Sequence, residues 1–232
     1  FKLFEDMKLE GVKPDRVVYL CIMKACAYTQ ILGLGRLLHN DAVKDGVDED
    51  LSVANTVIDM YAKCGSLEES FKMLCCFTKR DAVSWGALLS GYIQHGCDWL
   101  VFQSFCKMKE EGIRPSKVTY LCVLKGCVNL SAISQGWFIH DQVLRNGFQS
   151  DLEIGNLLVN LYAKCGMPDA ANRVFNQLPK QDIVSWGALV AGYAQVGKFS
   201  IVMHCLDEMA KKRFKPNDVI FTSIFAACSR AG

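Results

Sequence analysis

Twelve cysteines and four histidines are the residues with which this 232-residue chain could hold a metal or act as a nucleophile. Their spacing supports neither role. No C-x-x-C pair occurs, which excludes a zinc knuckle and a thioredoxin-like dithiol. A zinc-dependent deaminase needs H-x-E followed downstream by P-C-x-x-C, because the histidine and cysteines hold the ion and the glutamate moves the proton. His39, His95, His140 and His204 all lack that glutamate. There is no G-x-x-x-x-G-K-[ST] phosphate loop and no G-x-S-x-G nucleophile turn. The adjacent acids Glu68 and Glu69 read as a solvated helix face. No catalytic residue, metal ligand or cofactor is therefore expected. Cys21, Cys26, Cys122 and Cys127 sit in apolar helical stretches, where a free thiol behaves as a small buried hydrophobe in a reducing compartment. Cys75–Cys76 is the one irregular pair.

The chain is 51% hydrophobic and 22% charged, which is enough apolar material for a folded body and too little charge for disorder. Its net charge of +2 is weak, so any nucleic-acid contact must come from where charge is placed. No run of about 18 apolar residues is present, so no membrane-spanning helix is expected. The opening FKLFEDMKLEGVKPD lacks a signal-peptide pattern and reads as the end of a helix already under way. The closing IFAACSRAG stops just past a helix. Both ends look like cuts through a longer protein, with any targeting segment upstream.

The chain repeats itself. Tyr61-Ala-Lys-Cys-Gly65 returns as Tyr162-Ala-Lys-Cys-Gly166, and Val83-Ser-Trp-Gly-Ala-Leu88 as Val184-Ser-Trp-Gly-Ala-Leu189, both at an offset of 101. Cys26, Cys127 and Cys228 keep the same spacing, as do His39 and His140. Lys13-Pro14, Arg114-Pro115 and Lys215-Pro216 fall on it too, and the 101-residue period divides into thirds. Cutting after each such junction gives units 16–50, 51–81, 82–116, 117–151, 152–182 and 183–217, of 35, 31, 35, 35, 31 and 35 residues. Half units at 1–15 and 218–232 flank them.

Each unit reads as two helices. In 51–81, Val53, Val57, Met60, Tyr61 and Cys64 recur at three and four, one face of a first helix. Gly65 can end that helix in the left-handed conformation. Ser66 followed by Glu69 predicts a capping box at the next helix, with Leu67, Phe71 and Leu74 as its apolar stripe. In the 35-residue units the break falls at Gly96 and Gly197, and Pro14, Pro115 and Pro216 stop the outgoing helices. No alternating run supports a sheet. About 14 helices are expected. A lone hairpin of this size cannot bury its apolar face, so the units must stack, first helices on one surface and second helices on the other.

These units resemble the pentatricopeptide repeat: 35-residue helical hairpins ending in G-[IV]-[KR]-P-[DNS]. The tetratricopeptide Trp–Leu-Gly–Tyr pattern is absent. VSWGALLSGYIQHG and VSWGALVAGYAQVG resemble P-type units, LKGCVNLSAISQGWFIHDQVLRNG with Gly136-x-x-x-His140 the long L type, and YAKCG the short S type. The array 16–50 L, 51–81 S, 82–116 P, 117–151 L, 152–182 S, 183–217 P is similar to the PLS subclass, typical of plant organelle RNA editing factors. The resemblance implies an all-α, right-handed superhelical solenoid of helix-turn-helix repeats (an α-α superhelix).

It also implies a function: sequence-dependent binding of single-stranded RNA, one nucleotide per repeat, along the first-helix surface. In the family the fifth and last residues of a repeat read the base edge and the second flanks it. The fifth positions here are Leu20, Asn55, Gly86, Leu121, Asn156, Gly187 and Thr222. The last positions are Asp50, Asp81, Ser116, Asp151, Asp182 and Asn217. Asn55 with Asp81, and Asn156 with Asp182, look like readers of U, three repeats apart, implying U-x-x-U. Gly86 and Gly187 bring no side chain, which leaves Ser116 and Asn217 as readers in those units, and Asn217 leans to A or C. Leu20 and Leu121 cannot hydrogen-bond a base, so their units act as spacers. Val83, Val118 and Val184 are the flanking residues.

Lys63 and Lys164 either meet RNA phosphates or only complement helix C-termini. Trp85 and Trp186 read as packing rather than stacking platforms, and the recurring His39 and His140 as packing rather than catalytic. The implied role is to specify a site for C-to-U editing in a mitochondrion or, alternatively, a chloroplast. The deaminase would be C-terminal or supplied by a partner, possible partners being that deaminase and other editing factors; no DNA is expected. Two alternatives stand beside it. One is organelle RNA splicing, processing, stability or translation without editing; the other is a protein-interaction scaffold.

Overall fold

The computed structural model describes residues 1–231, and Gly232, the last residue of the half unit 218–232, lies outside the described residues. Among the described residues there are fourteen helices and no strand. They are α1 (Lys2–Leu9), α2 (Arg16–Thr29), α3 (Leu32–Lys44), α4 (Leu51–Lys63), α5 (Leu67–Cys76), α6 (Ala82–Gln94), α7 (Asp98–Glu110) and α8 (Lys117–Leu130). They continue as α9 (Ile133–Arg145), α10 (Leu152–Lys164), α11 (Pro168–Gln177), α12 (Ile183–Gln195), α13 (Phe199–Lys211) and α14 (Asp218–Ala231). Two compact units divide the chain, 1–122 and 123–232.

Within the first unit, α4 packs against α2 on one side and α6 on the other, with α5 and α3 behind it. Within the second, α12 stands between α10 and α14, with α11 and α13 behind. First helices thus stack on first helices. This explains a burial pattern wider than one stripe. Val53, Val57, Met60 and Tyr61 of α4 are buried as the spacing predicts, but so are Ala54, Thr56, Ile58 and Ala62, because both flanks of α4 are covered by neighbours.

The hairpin turns are set by glycine. At the end of α4, Gly65 has φ of 79°, its N–H bonds the Ala62 carbonyl at 3.2 Å, and the Ser66 N–H bonds the Tyr61 carbonyl at 2.9 Å. That 6→1 plus 5→2 pair satisfies the orphan carbonyls of the helix end. It also overturns the expected capping box at Ser66. The Ser66 N–H is already committed to α4, so Glu69 cannot receive it, and the Ser66 side chain accepts no backbone N–H. The Ser66 hydroxyl donates to the Glu69 carboxylate instead, and that carboxylate takes the forked guanidinium of Arg36, at 2.8–3.2 Å. Glu69 is therefore a tie between α3 and α5 rather than part of a solvated face.

All twelve cysteines are free. Cys26, Cys122, Cys127 and Cys205 are buried as expected, whereas Cys21, Cys75, Cys76 and Cys228 are exposed. Cys21 misses the buried stripe of α2 formed by Tyr19, Ile22, Met23, Cys26 and Ala27. No helix is long and apolar enough to cross a membrane among the described residues.

Candidate nucleic-acid interface

The last residue of each unit is the N-cap of the next first helix. Asp50, Asp81, Asp151 and Asp182 accept backbone N–H groups at the starts of α4, α6, α10 and α12. Ser116 accepts from the Thr119 N–H at 3.3 Å, and Asn217 from the Ile220 N–H at 3.1 Å. Asp, Asn and Ser are the residue types a helix N-terminus selects, so capping by itself accounts for the chemistry at this position. It does not account for the asparagines opposite.

Asn55, near the start of α4, faces the cap of α6. Its Nδ2 lies 3.4 Å from Asp81 Oδ1, and both residues are half-buried. The Val83 and Ser84 N–H groups and the Ser84 hydroxyl also fall on Asp81 Oδ1, at 2.9, 2.8 and 2.9 Å, which leaves Oδ2 clear of the cap. In the second unit the Asn156 Nδ2 lies 3.0 and 3.2 Å from the two carboxylate oxygens of Asp182, while the Ser185 N–H donates to Oδ1 at 2.8 Å. Burial works against ionisation of Asp81 and Asp182. The donated hydrogen bonds, led in each case by a backbone N–H, outweigh it and hold both carboxyls below the ordinary value of 3.8. Each pair therefore presents a fixed amide beside an ionised carboxylate.

The first pair lines an open groove of about 750 Å³. Lys24, Thr56, Asp59, Val83, Gly86, Ser116 and Val118 share its walls. Val83, Val118 and Val184 are exposed, at 62%, 48% and 59%. Gly86 and Gly187 are buried, and a Cβ on Gly86 would meet only Val118 Cγ1, at 3.6 Å. Thr222 is exposed, with its hydroxyl turned onto the Val219 carbonyl at 2.9 Å, and Asn217 is exposed at its cap.

The two lysines differ. Lys63 reaches the Asp59 carboxylate at 2.7 Å and lies 5.5 Å from the centre of the Tyr28 ring. Lys164 is exposed, and the residue four positions before it is Asn160, which offers no charge. Trp85 is fully buried and Trp186 is 4% exposed, so neither offers a ring face to a ligand. His39 Nδ1 bonds the Tyr61 hydroxyl at 2.9 Å, and His140 Nδ1 the Tyr162 hydroxyl at 2.8 Å. Burial lowers both imidazoles below 6.5.

Family profiles match this chain over most of its length. The PPR repeat family matches residues 80–129 and 181–230, and the PPR repeat matches 52–81 and 156–183. The chain belongs to the PPR repeat family. A pentatricopeptide repeat-containing protein of Arabidopsis thaliana is 33% identical over 231 residues, covering 100% of this chain and 32% of that protein. A putative mitochondrial one from the same plant is 34% identical over 230 residues, covering 99% and 37%. A chloroplastic one is 32% identical over 230 residues, covering 99% and 28%. This PPR chain thus spans about a third of the length of the relatives it matches. The crystal structure of the pentatricopeptide repeat protein PPR10 from maize superposes with a TM-score of 0.78 at 20% identity, covering 99% of this chain and 34% of that one. The likeness shows the fold, an all-α solenoid of helical hairpins.

Sequence reasoning missed Ser84 and Ser185 in this PPR site. Both are buried beside the asparagines, and their recurrence inside Val-Ser-Trp-Gly at the 101-residue offset was the available signal.

Proposed function

We propose that this chain binds single-stranded RNA and reads two uracils in the pattern U-x-x-U. The observation that carries the reading is the repeated coupling of a fifth-position amide to a capping carboxylate, Asn55 with Asp81 and Asn156 with Asp182. Uracil offers N3–H flanked by carbonyl oxygens. The free Asp81 Oδ2 accepts from N3–H and the second amide hydrogen of Asn55 donates to a carbonyl. Val83 and Val184 support the flat face of the base. Lys164, and Lys63 where its ion pair opens, meet the phosphates. Ser116, Asn217 and Thr222 add weaker preferences, because Gly86 and Gly187 supply no amide.

The rotation of 35- and 31-residue units supports a place among organelle RNA editing factors, marking a cytidine for C-to-U conversion by a deaminase that this segment does not contain. Relatives named mitochondrial and chloroplastic make an organelle the expected compartment, with the mitochondrion put first. The maize protein whose fold this chain shares has itself been crystallised with an 18-nt psaJ RNA element. Selection from a randomised RNA pool at fixed salt tests the proposal. Enrichment of U-x-x-U is expected, and equal recovery of all bases at both positions would overturn it.

A further inference from the structure

The two Asn–Asp pairs are built alike but are not held alike. In the first, the buried Ser84 hydroxyl accepts from the Asp81 N–H at 3.3 Å and lies within donating distance of both the Asn55 amide oxygen and Asp81 Oδ1, the contact with Asn55 being the shorter. Both ends of the Asn55 amide are then occupied, Oδ1 by Ser84 and Nδ2 by Asp81. In the second, Ser185 accepts from the Asp182 N–H at 2.9 Å but donates to the Asp182 carbonyl, also at 2.9 Å. The Asn156 Oδ1 is left buried with no hydrogen-bond partner.

We propose that Ser84 is a positioning residue that sets base discrimination at the Asn55–Asp81 pair, making it the more selective of the two. This rests on the base-reading proposal above. The amide oxygen and nitrogen of asparagine are nearly the same size, so only hydrogen bonds decide which faces a ligand. With Ser84 on Oδ1 and Asp81 on Nδ2, the amide can offer a pyrimidine only an N–H. That suits the carbonyls of uracil. Cytosine presents an amino donor and a bare N3, which meet a donor and a carboxylate poorly. Turning the amide oxygen outward would give the cytosine amino group an acceptor, leaving only the bare N3 against the carboxylate as a mismatch, and Ser84, placed to donate to that oxygen, opposes the turn. Asn156 has its oxygen unclaimed and gives up no bond at that end on turning, so its orientation rests on the two nitrogen contacts with Asp182 alone. The hydroxyl acts only through Asn55. Thr119 occupies the corresponding third position of α8, is fully buried and forms the equivalent cap with Ser116, so the fold accepts a threonine there.

The test uses the 232-residue chain and RNAs carrying U or C at each of the two positions, with a thermal melt of every variant. The wild-type U-over-C ratio is expected to be larger at the Asn55 position. Ser84→Ala should lower it by about fivefold, the factor set by one net hydrogen bond of about 1 kcal/mol. Ser84→Thr should keep the ratio and its shape-match Ser84→Val should not, so the comparison survives if the alanine variant folds poorly. Ser185→Ala removes the same cap bond and should leave the ratio at the Asn156 position unchanged. An unaltered ratio in Ser84→Ala and Ser84→Val overturns the proposal. An equal loss in Ser185→Ala at its own site also overturns it, because capping alone would then explain the effect. Absence of any U preference at both positions in the wild type is a separate result that overturns the base-reading proposal, and this one with it.

Discussion

The Asn156 amide nitrogen reaches both carboxylate oxygens of Asp182, at 3.0 and 3.2 Å, although the two residues are 26 positions apart. Asp182 meanwhile caps α12. One carboxylate therefore ends a helix and orients a neighbouring repeat's amide, and the two duties can be separated by mutation.

Asp182→Asn keeps a good N-cap, and Asp182→Ala does not. The alanine variant should lose about 1 kcal/mol of stability and the asparagine variant much less. Both should lose U preference at that site, because neither presents an ionised acceptor to N3–H. Chemical denaturation and RNA binding on the same samples check this. Retained U preference in Asp182→Asn would show that the carboxylate does not read the base.

Lys164 and Lys63 should respond unequally to truncation. Lys63 is engaged by Asp59 at 2.7 Å, and Lys164 has Asn160 in the corresponding place. Lys164→Ala should weaken RNA binding uniformly across sequences and reduce the salt slope of log affinity by about 0.7, the value for one phosphate contact on a single strand. Lys63→Ala should change the slope less. Affinities measured from low to high salt decide between them.

Two glycines of α6 should behave oppositely. A Cβ on Gly91 would stand 2.5 Å from the Ala62 Cβ and 3.1 Å from its Cα, so Gly91→Val should cost about 2–3 kcal/mol by forcing α4 and α6 apart. Gly86→Ala meets only Val118, at 3.6 Å, and should gain up to about 1 kcal/mol from helix propensity. Urea midpoints of the two variants give the comparison.

Stability should fall on mild acidification. Burial lowers His39 and His140 below their ordinary 6.5, so the unfolded chain binds protons that the folded chain resists. The loss begins as pH falls through 6.5 and levels off below the folded values. Replacing both with glutamine should flatten the profile in that window. Asp81 and Asp182, held below 3.8, act later: their contribution is complete above that value and is lost only as pH falls through the lower folded values.

The sequence by itself determined the hairpins and their ends. Period-3.6 apolar spacing, Gly65 and Gly96 at turns, and an Asp, Asn or Ser before each first helix are local signals, each acting within a turn or two of chain. The 101-residue offset also marked Asn55 and Asn156 as equivalent. What it could not supply was anything depending on a neighbouring repeat. Ser66 looked like a cap, but its N–H was taken by the preceding helix. Glu69 looked solvated until α3 brought Arg36 to it. That Asn55 meets Asp81 and Ser84, whereas Asn156 meets Asp182 alone, follows from where the serine hydroxyls turn, Ser84 toward the neighbouring helix and Ser185 onto the Asp182 carbonyl. Hydrogen bonds between side chains of different helices depend on tenths of an ångström, which no spacing along the chain encodes.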